Sequence, residues 1–301
     1  MNALQTYNLS KQFAHLQALD NINLAVPKGS IFGFLGPNGS GKSTLIKILT
    51  GLIAPTNGTF SVFEKQSSEG YKVRENMSAL VDRADFYKNL SAYDNLMLMA
   101  RLSNHDSAQN IDEILNLVGL YQRRHDKVKT FSQGMKQRLG IGQALLPDPK
   151  LLILDEPTTG LDPLGMVEVR DFILKIAKER NVTIFLSSHL LHEVEEICSH
   201  VGLIFNGKME NQGSIETIFS SIDQVTIDLE IDKKPETVKI LSTLEGIESI
   251  QELPNLLKIK IKYAEIPTLI QKLVKDDIKI FGISQRNRLE TFFLNRSRDQ
   301  S

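Results

Sequence analysis

The stretch Gly36-Pro-Asn-Gly-Ser-Gly-Lys42-Ser43-Thr44 decides the fold of this chain. It stands between the apolar run Ile31-Phe-Gly-Phe-Leu35 and residues 45–49, whose apolar side chains recur at helical spacing. A strand, a glycine-rich turn and a helix in this order aim backbone N–H groups and the positive end of the helix at one point in space. The sequence therefore predicts a phosphate-binding loop for a nucleotide.

The residue types of this loop predict what each position does. Gly36, Gly39 and Gly41 let the backbone wrap closely around a polyphosphate. Lys42 neutralises oxygens of the β- and γ-phosphates, and the hydroxyl of Ser43 supplies an oxygen ligand for Mg²⁺. The loop residues expected to bind the nucleotide are Gly36, Pro37, Asn38, Gly39, Ser40, Gly41, Lys42, Ser43 and Thr44.

The composition limits the classes of function. A chain of 301 residues is long enough for two domains, and its net charge of −1 gives no general attraction to nucleic acids or anionic membranes. The one cysteine, Cys198, excludes an intramolecular disulfide, as expected in a reducing compartment. No apolar stretch reaches the ~18 residues that a membrane span needs, and no signal-peptide core is evident. We expect a cytosolic protein without a nucleic-acid partner.

The pattern of elements predicts two domains. Residues 1–218 alternate between strand and helix patterns, which is typical of an α/β domain with a largely parallel sheet. The continuously apolar runs 151–154 and 182–186 predict strands that are buried on both faces. Residues from about 86 to 146 have mostly helical patterns, which predicts a helical subdomain inserted into this domain.

Residues 219–301 predict a second domain of different architecture. Residues 225–231 and 257–262 alternate apolar and polar side chains, as half-buried strands do, and a helical pattern follows each. Residues 278–280 predict a further strand. Two successive β-α-β units suggest a small ferredoxin-like α+β domain, and residues 289–294 predict a short amphipathic terminal helix.

Lys258, Lys260 and Lys262 place a strip of positive charge on one of these strands. A binding surface is one interpretation. We favour the solvated face of a strand whose charges prevent pairing at a sheet edge.

A second chemical feature is the apolar run Leu151-Leu-Ile-Leu154, which ends in Asp155 and Glu156. A carboxylate at the end of a strand beside a phosphate loop holds Mg²⁺ through its water shell, and we expect this of Asp155. Glu156 is placed to polarise an attacking water. An acidic turn that caps a helix is the alternative, but Leu-Asp-Glu-Pro-Thr-Thr-Gly-Leu-Asp-Pro is too particular a string for it.

A third feature is the string Phe131-Ser132-Gln133-Gly134-Met135-Lys136-Gln137-Arg138 before a long helical pattern. By itself it is compatible with an ordinary helix whose N-cap is Ser132. Together with the phosphate loop and the Asp155-Glu156 pair, it resembles the signature sequence of the ABC-transporter ATPases. The resemblance extends from Leu9 to Gly213. It implies a P-loop NTPase core, ATP and Mg²⁺ as cofactors, and ATP hydrolysis.

The resemblance implies roles for further residues by their positions. Phe13 takes the place of the aromatic residue that stacks on adenine, with a core aromatic at a strand edge as the alternative. His189 matches the switch histidine that contacts the γ-phosphate, and Asp162 falls in the loop that faces the partner subunit. A zinc site at His189, His192 and Glu193 is disfavoured, because the spacing is not that of a zinc protease and no third ligand is evident.

One phosphate loop and one signature string in the chain imply a dimer. In the family, the loop of one subunit and the signature helix of the other enclose the nucleotide, so we expect two identical chains around two ATP molecules. An isolated helix N-terminus is an anion site without an anion, and the γ-phosphate held by the partner would fill it. Ser132 and Gly134 are the residues expected to recognise that phosphate.

Other strings resemble one branch of the superfamily. Residues 86–96, Gly134-Met-Lys-Gln-Arg-Leu139, Ser187-Ser-His189 and the C-terminal extension look like the exporter branch that includes bacitracin-resistance and lantibiotic-immunity ATPases. The resemblance implies a separately encoded ABC-2 type permease, which we expect to dock over the helical subdomain and residues 82–95. The chain would then be attached through this permease to the inner face of the cell membrane.

The sequence departs from the superfamily pattern at two places. Asp82 stands where the Q-loop glutamine is normal, and we expect it to contact the metal. The signature has Phe131, Gln133 and Met135 where the common pattern has Leu, Gly and Gln. The hydroxyl and backbone N–H needed for phosphate recognition remain at the positions between them.

The implied function is to drive the permease by ATP-dependent dimerisation, with export of an antibiotic peptide, a lipid or another amphiphile. The main alternative is a non-transport ABC ATPase that acts on ribosomes or DNA. Such proteins usually carry two ATPase units, a long coiled-coil insertion or zinc-finger cysteines, and this sequence has none of them. Further alternatives are a phosphoryl-transferring kinase, and a C-terminal domain that senses a small ligand.

Overall fold

The computed structural model describes residues 1–82, 84–102, 110–220 and 223–285. The chain divides into two compact units, Met1–Ser214 and Ile215–Ser301, four residues before the boundary predicted from the sequence. The terminal helix predicted at residues 289–294 lies outside the described residues. Within the described ranges, no helix combines the length and the apolar character that crossing a membrane requires.

The first unit contains the elements expected of an α/β domain. Its strands are β1 (Asn2–Phe13), β2 (Leu16–Ile22), β3 (Ala25–Pro27), β4 (Ile31–Leu35), β5 (Asn57–Val62), β6 (Lys65–Gln66), β7 (Met77–Leu80), β8 (Leu151–Asp155), β9 (Thr183–Ser188), β10 (His200–Phe205) and β11 (Lys208–Ser214). Its α-helices are α1 (Lys42–Thr50), α2 (Ala92–Leu102), α3 (Ile111–Leu117), α4 (Gln133–Leu145), α5 (Pro163–Arg180) and α6 (Leu191–Ile197). Shorter 3₁₀ segments are Ser67–Arg74, Tyr121–Arg123 and Val128–Thr130.

The main sheet has the strand order β11-β10-β4-β9-β8-β7. Its strands pair in parallel from β10 to β7, and only the pairing of β11 with β10 is antiparallel among these described strands. Every residue of β4, β8 and β9 is buried, as expected for parallel strands covered on both faces. The predicted α/β fold with a largely parallel sheet is confirmed.

This topology places several loops side by side. The carboxyl ends of parallel strands meet at one edge of a sheet, which is where ligands bind in open α/β folds. The segments that follow β4, β7, β8 and β9 therefore begin close together, and they carry the phosphate loop, Asp82, Glu156 and His189 respectively.

A second sheet was not specified by the sequence patterns. It has the order β2-β1-β5-β6, and β3 pairs with β1. One hydrophobic cluster contains residues of this sheet, of the main sheet and of α1, so α1 packs between the two sheets. Within it, Phe185 packs against Phe32 and Phe34, with ring centroids 5.8 and 5.5 Å apart.

Helices α2, α3 and α4 lie between β7 and β8 in the chain. Their apolar faces are buried, with Leu96, Ile111 and Leu139 fully inaccessible to solvent. Glycine allows the close approach of two of these helices, because a Cβ atom at Gly142 of α4 would lie 2.9 Å from Cγ1 of Val118.

The second unit begins with α7 (Ile215–Ser220) and continues as β12 (Gln224–Ile231), α8 (Lys234–Leu241), β13 (Ile247–Glu252), β14 (Leu257–Lys262), the 3₁₀ segment Tyr263–Glu265, α9 (Ile266–Lys275) and β15 (Ile280–Gln285). Its sheet has the order β13-β14-β12-β15, and every neighbouring pair is antiparallel. Its own hydrophobic core includes Val225, Ile259 and Leu269.

Two sequence-based expectations for this sheet need correction. Strand β13 was missed because a bulge between Ile247 and Ser249 breaks the alternation of apolar residues. The explanation of the lysine strip by edge protection is wrong, because β14 lies between β13 and β12. Its lysines instead face acids on both neighbours: Lys260 forms a 2.7 Å ion pair with Glu248, and Lys258 lies opposite Asp228.

The close packing of β4 makes a prediction about stability. A Cβ atom at Gly33 would overlap Cγ1 of Val194 and lie 3.0 Å from Sγ of Cys198, whereas one at Gly213 in β11 meets no atom within 4 Å. We expect Gly33→Ala to lower the free energy of unfolding by about 1–3 kcal/mol, and Gly213→Ala to leave it nearly unchanged. Urea unfolding followed by circular dichroism measures both. Equal midpoints for the two variants would contradict the close packing of α6 on β4.

Candidate functional site

The phosphate loop connects the buried strand β4 to helix α1. Gly39 and Gly41 have φ angles of 81° and 108°, in the left-handed region that favours glycine. At Gly36 the φ angle is ordinary, but a Cβ atom would overlap the carbonyl oxygen of Ile204 and Oγ of Ser40. The glycines therefore leave a concave backbone surface at the N-terminus of α1, which suits an anion.

Lys42 places a buried positive charge at the bottom of this loop. Its side chain is 5% exposed, and Nζ donates hydrogen bonds to the carbonyl oxygens of Gly36 at 2.8 Å and Pro37 at 3.2 Å. The same Nζ lies 3.5 Å from Oε1 of Glu156. A buried ammonium group must have negative partners, and phosphate oxygens are suitable ones.

A cavity of about 420 Å³ lies at the loop. It is lined by Phe13, Leu16, Gln17, Ala18, Asn38, Gly39, Gly41, Lys42, Ser43, Thr44, Glu156, Asn206 and Gly207. We call it the phosphate cavity. Of the expected loop residues, Gly36, Pro37 and Ser40 do not line it.

Phe13 lines the phosphate cavity. It is the last residue of β1 and is 43% exposed, so the ring is available for stacking. Nζ of Lys11 lies 5.0 Å from the centroid of this ring. Residues of β2 and of the turn after β10 also line the cavity, and no sequence motif marks them. Gly207 belongs to that turn, and its N–H donates to the carbonyl oxygen of Ser40 at 3.0 Å.

Asp155 and Glu156 are held by a residue of the neighbouring strand. Asp155 is buried at the end of β8, and the hydroxyl of Ser187 donates to its Oδ1 at 2.5 Å. The same hydroxyl oxygen accepts the backbone N–H of Glu156 at 2.9 Å. No sequence pattern predicts the contact of Ser187 with Asp155, because it depends on the register between β8 and β9.

The carboxylate of Glu156 lies among groups that together lower its pKa. Its Oε2 accepts the Thr159 hydroxyl at 2.8 Å and lies 3.0 Å from Nδ1 of His189. Burial by itself raises the pKa of Glu156, but the Thr159 hydrogen bond and the charges of His189 and Lys42 outweigh it and hold the pKa below its ordinary value. An ionised carboxylate that accepts hydrogen bonds can orient a water molecule and take its proton.

Oxygen donors gather in an adjoining cavity of about 540 Å³, which we call the acid cavity. It is lined by Ser43, Asp82, Gln137, Asp155, Glu156 and Thr159. Among the described residues, no group of three or more His, Cys, Asp and Glu side chains is arranged to hold a metal ion. A hydroxyl and one or two carboxylates still suit Mg²⁺, which keeps waters and takes phosphate oxygens as its remaining ligands.

The signature residues line a different cavity, of about 500 Å³, which we call the signature cavity. It is lined by Ser132, Gln133, Gly134, Gly160, Asp162, Leu164, Gly165 and Glu168. Oγ of Ser132 caps α4 by accepting the N–H of Met135 at 3.2 Å, and Asp162 caps α5 by accepting the N–H of Gly165 at 3.0 Å. The signature cavity shares no lining residue with the phosphate cavity, so one chain presents the two cavities on separate surfaces.

A buried acid on α6 is another residue whose contact the sequence did not reveal. Glu193 is 4% exposed, and its Oε2 accepts the Thr158 hydroxyl at 2.6 Å. This contact connects the helix that follows His189 to the segment between Glu156 and Asp162. It depends on tertiary packing, and no local sequence signal predicts it.

Comparisons with known proteins agree with this geometry. The model of the ABC transporter family matches residues 19–159. The bacitracin transport ATP-binding protein BcrA of Bacillus licheniformis is 45% identical over 207 residues, which cover 68% of each chain. The lantibiotic transport ATP-binding protein SrtF of Streptococcus pyogenes is 42% identical over 224 residues, which cover 72% of this chain and 96% of SrtF.

A solved structure resembles the fold as well. The crystal structure of the ADP conformation of MJ1267, an ATP-binding cassette of an ABC transporter, superposes with a TM-score of 0.66 and 26% identity. The match covers 72% of this chain and 92% of that chain.

Proposed function

Because this chain belongs to the ABC transporter ATP-binding proteins, which bind and hydrolyse ATP, we propose that it powers an exporter whose permease is a separate chain. The observation that carries the proposal is the meeting of the phosphate loop, Asp155 and Glu156 around adjoining cavities at the carboxyl edge of the parallel sheet. The relatives named above are transport subunits, so we favour transport over action on ribosomes or DNA.

ATP would occupy the phosphate cavity with its base at Phe13 and its phosphates in the loop. The backbone of residues 36–44 supplies N–H donors, and the buried ammonium of Lys42 supplies the positive charge. An incoming phosphate would replace the carbonyl oxygens of Gly36 and Pro37 as partners of this group. Phe13 would stack on the base, because its ring is partly exposed and lines the cavity.

Mg²⁺ would be held at the edge of the acid cavity by the Ser43 hydroxyl and by Asp155, with Asp82 as a further oxygen donor. The donor set fits, because all three groups offer oxygen and line one cavity. When bound, the ion would neutralise charge on the β- and γ-phosphate oxygens. Asp155 would orient the water shell of the ion, since its carboxylate is buried and fixed by Ser187.

Glu156 would orient the attacking water and accept its proton. Its carboxylate is ionised, lies beside Lys42 and is 24% exposed, so water can reach it. His189 would contact the γ-phosphate next to Glu156, since its ring lies at hydrogen-bonding distance from the Glu156 carboxylate. Thr159 would keep the carboxylate in place.

The separate signature cavity supports a homodimer. Ser132 and Gly134 stand at the N-terminus of α4, which is an anion site, yet no residue of the phosphate loop lines that cavity. A second copy would bring its own bound triphosphate to this site, with Asp162 at the interface. ATP would then join the two chains, and hydrolysis would release them.

The permease would dock beside the helical subdomain. Ala84, Asp85, Phe86 and Lys88 meet residues of α4 around a groove of about 270 Å³. Gln137 and Thr159 line both this groove and the acid cavity, so a partner seated there would be next to the reaction centre. We propose an ABC-2 type permease, which would attach the chain to the inner face of the cell membrane.

The names of the relatives bear on the cargo, and the strand order of the second unit bears on its fold. BcrA is a bacitracin transport protein and SrtF is a lantibiotic transport protein, which favours an antibiotic peptide or a similar amphiphile such as a lipid as the cargo. We propose that residues 219–301 form a ferredoxin-like accessory domain. The order strand–helix–strand–strand–helix–strand and the antiparallel sheet order β13-β14-β12-β15 support it.

Replacement of the proposed base tests the hydrolysis step. We expect Glu156→Gln to keep ATP binding, to lower hydrolysis by about 10²–10⁴-fold and to accumulate an ATP-bound dimer, because the amide cannot accept the proton. Phosphate release measures hydrolysis, and light scattering measures the accumulation of the dimer, which also requires that ATP binding is kept. Glu179→Gln, which changes an exposed acid on α5, is the matched control and should behave like the wild type. Hydrolysis by Glu156→Gln at the wild-type rate would refute the assignment.

Mixing of two inactive variants tests whether each site is shared between chains. Lys42→Ala should abolish ATP turnover through the phosphate loop, and Gly134→Asp should do so by placing a carboxylate where the partner's phosphate would bind. A heterodimer of the two retains one intact site, so the mixture should regain MgATP-dependent hydrolysis. A mixture no more active than either variant alone would contradict the shared site.

Site-specific crosslinking tests the docking surface. Tyr87 is 64% exposed beside the groove, and Tyr71 is 80% exposed on the segment Ser67–Arg74. We expect Tyr87→Cys, but not Tyr71→Cys, to crosslink to an integral-membrane polypeptide in native membranes, identified by mass spectrometry. Crosslinks from Tyr71→Cys alone would place the permease elsewhere.

A further inference from the structure

We propose that Ser187 is a positioning residue that sets the metal affinity of the hydrolysis site, an inference that rests on the proposed function. Its hydroxyl contacts both acids of the site at once, Asp155 through the side chain and Glu156 through the backbone. Ser187 is itself fully buried and lines none of the three cavities described above. It therefore acts through its neighbours.

The register of the parallel sheet puts Ser187 in this position. Asp155 at the end of β8 is the direct partner of Ser187 in β9. Because paired residues of neighbouring strands point to the same face of a sheet, the short Ser187 side chain reaches the Asp155 carboxylate. Residues one position away in β9 would point to the opposite face.

The Ser187 hydroxyl donates one hydrogen bond and accepts another. It has one proton to donate and lone pairs to accept. Donation to Oδ1 of Asp155 at 2.5 Å fixes the rotation of that carboxylate and leaves Oδ2 for the metal's water shell. Acceptance of the Glu156 N–H at 2.9 Å fixes the backbone from which the proposed base projects.

The backbone of Glu156 needs such a restraint. Its φ angle is 45°, which residues other than glycine adopt rarely and keep only where the surroundings hold them. The Ser187 hydroxyl holds the N–H of this residue, and the Thr159 N–H donates to its carbonyl oxygen at 3.1 Å. Removal of the hydroxyl would leave the Glu156 N–H without its acceptor and the Asp155 carboxylate free to rotate.

Ser187→Ala should therefore change the metal dependence more than nucleotide binding. Loss of a partner that orients a metal ligand typically costs about 10- to 100-fold in metal affinity or activity. We expect the Mg²⁺ concentration for half-maximal binding of a fluorescent ATP analogue to rise by about that factor. Binding of the analogue in EDTA should change less than about twofold, because Ser187 does not touch the phosphate loop. The kcat should fall, while KM for ATP at saturating Mg²⁺ should change little.

Thr183→Val is the matched control within the same strand. Thr183 is also buried in β9, and its hydroxyl oxygen also accepts a backbone N–H, that of Gly29, at 3.0 Å. Thr183 is the first residue of β9, whereas Ser187 lies near the other end of β9, opposite Asp155 of β8. We expect both variants to lose thermal stability, and Thr183→Val to keep the wild-type Mg²⁺ titration. Ser187→Cys, with a weaker donor and acceptor, should fall between the wild type and Ser187→Ala.

The outcomes separate this inference from the proposed function. The inference is overturned if the wild type hydrolyses ATP and Ser187→Ala keeps the wild-type Mg²⁺ titration. If the alanine variant does not fold, Ser187→Cys takes its place in this comparison. It is equally overturned where Thr183→Val shifts that titration as much, since the effect would then come from stability. A wild-type chain that neither binds nor hydrolyses ATP would instead remove the proposed function.

Discussion

The buried ammonium group of Lys42 connects the parts of the site that come from different regions of the chain. A charge removed from water must be compensated, and here the compensation comes from two carbonyl oxygens of the phosphate loop and from the carboxylate of Glu156. The loop is thus closed on itself and tied to the end of β8. A triphosphate offers full negative charge where the carbonyl groups of Gly36 and Pro37 offer only dipoles. The Lys42 ammonium group, which holds the loop in shape, is therefore also a group to which a phosphate can bind.

Strand topology then decides which other groups can take part. Because β4, β8 and β9 are adjacent and parallel, the segments that follow them are held at one edge of the sheet, where Glu156 and His189 can touch. The strands are buried at every position, so these segments project from a rigid base. The antiparallel sheet contributes Phe13 from the end of β1, and α1 packs between this sheet and the main sheet.

Much of this arrangement could be predicted because it is local in sequence. The alternation of strand and helix patterns over residues 1–218 predicted the α/β fold, and the strand–loop–helix pattern around Lys42 predicted the phosphate loop. The resemblance to the ABC-transporter ATPases is confirmed by the family match and the relatives. The contacts of Ser187 and Gly207 were missed because they depend on which strands are neighbours and in which register. Strand order also explains the wrong interpretation of Lys258, since a sequence does not reveal whether a strand is central. The missed strand β13 has a bulge that disrupts its period.

The phosphate cavity and the signature cavity are connected by the short segment from Glu156 to Asp162. Glu156 is anchored at one end by the hydrogen bonds around its strained backbone, and Asp162 is anchored at the other as the cap of α5. Between them, Thr158 is bound to the buried carboxylate of Glu193 on α6, the helix that follows His189. A buried hydrogen bond to a carboxylate is costly to leave unmade. This hydrogen bond therefore ties the helix that follows His189 to the segment that ends at the signature cavity.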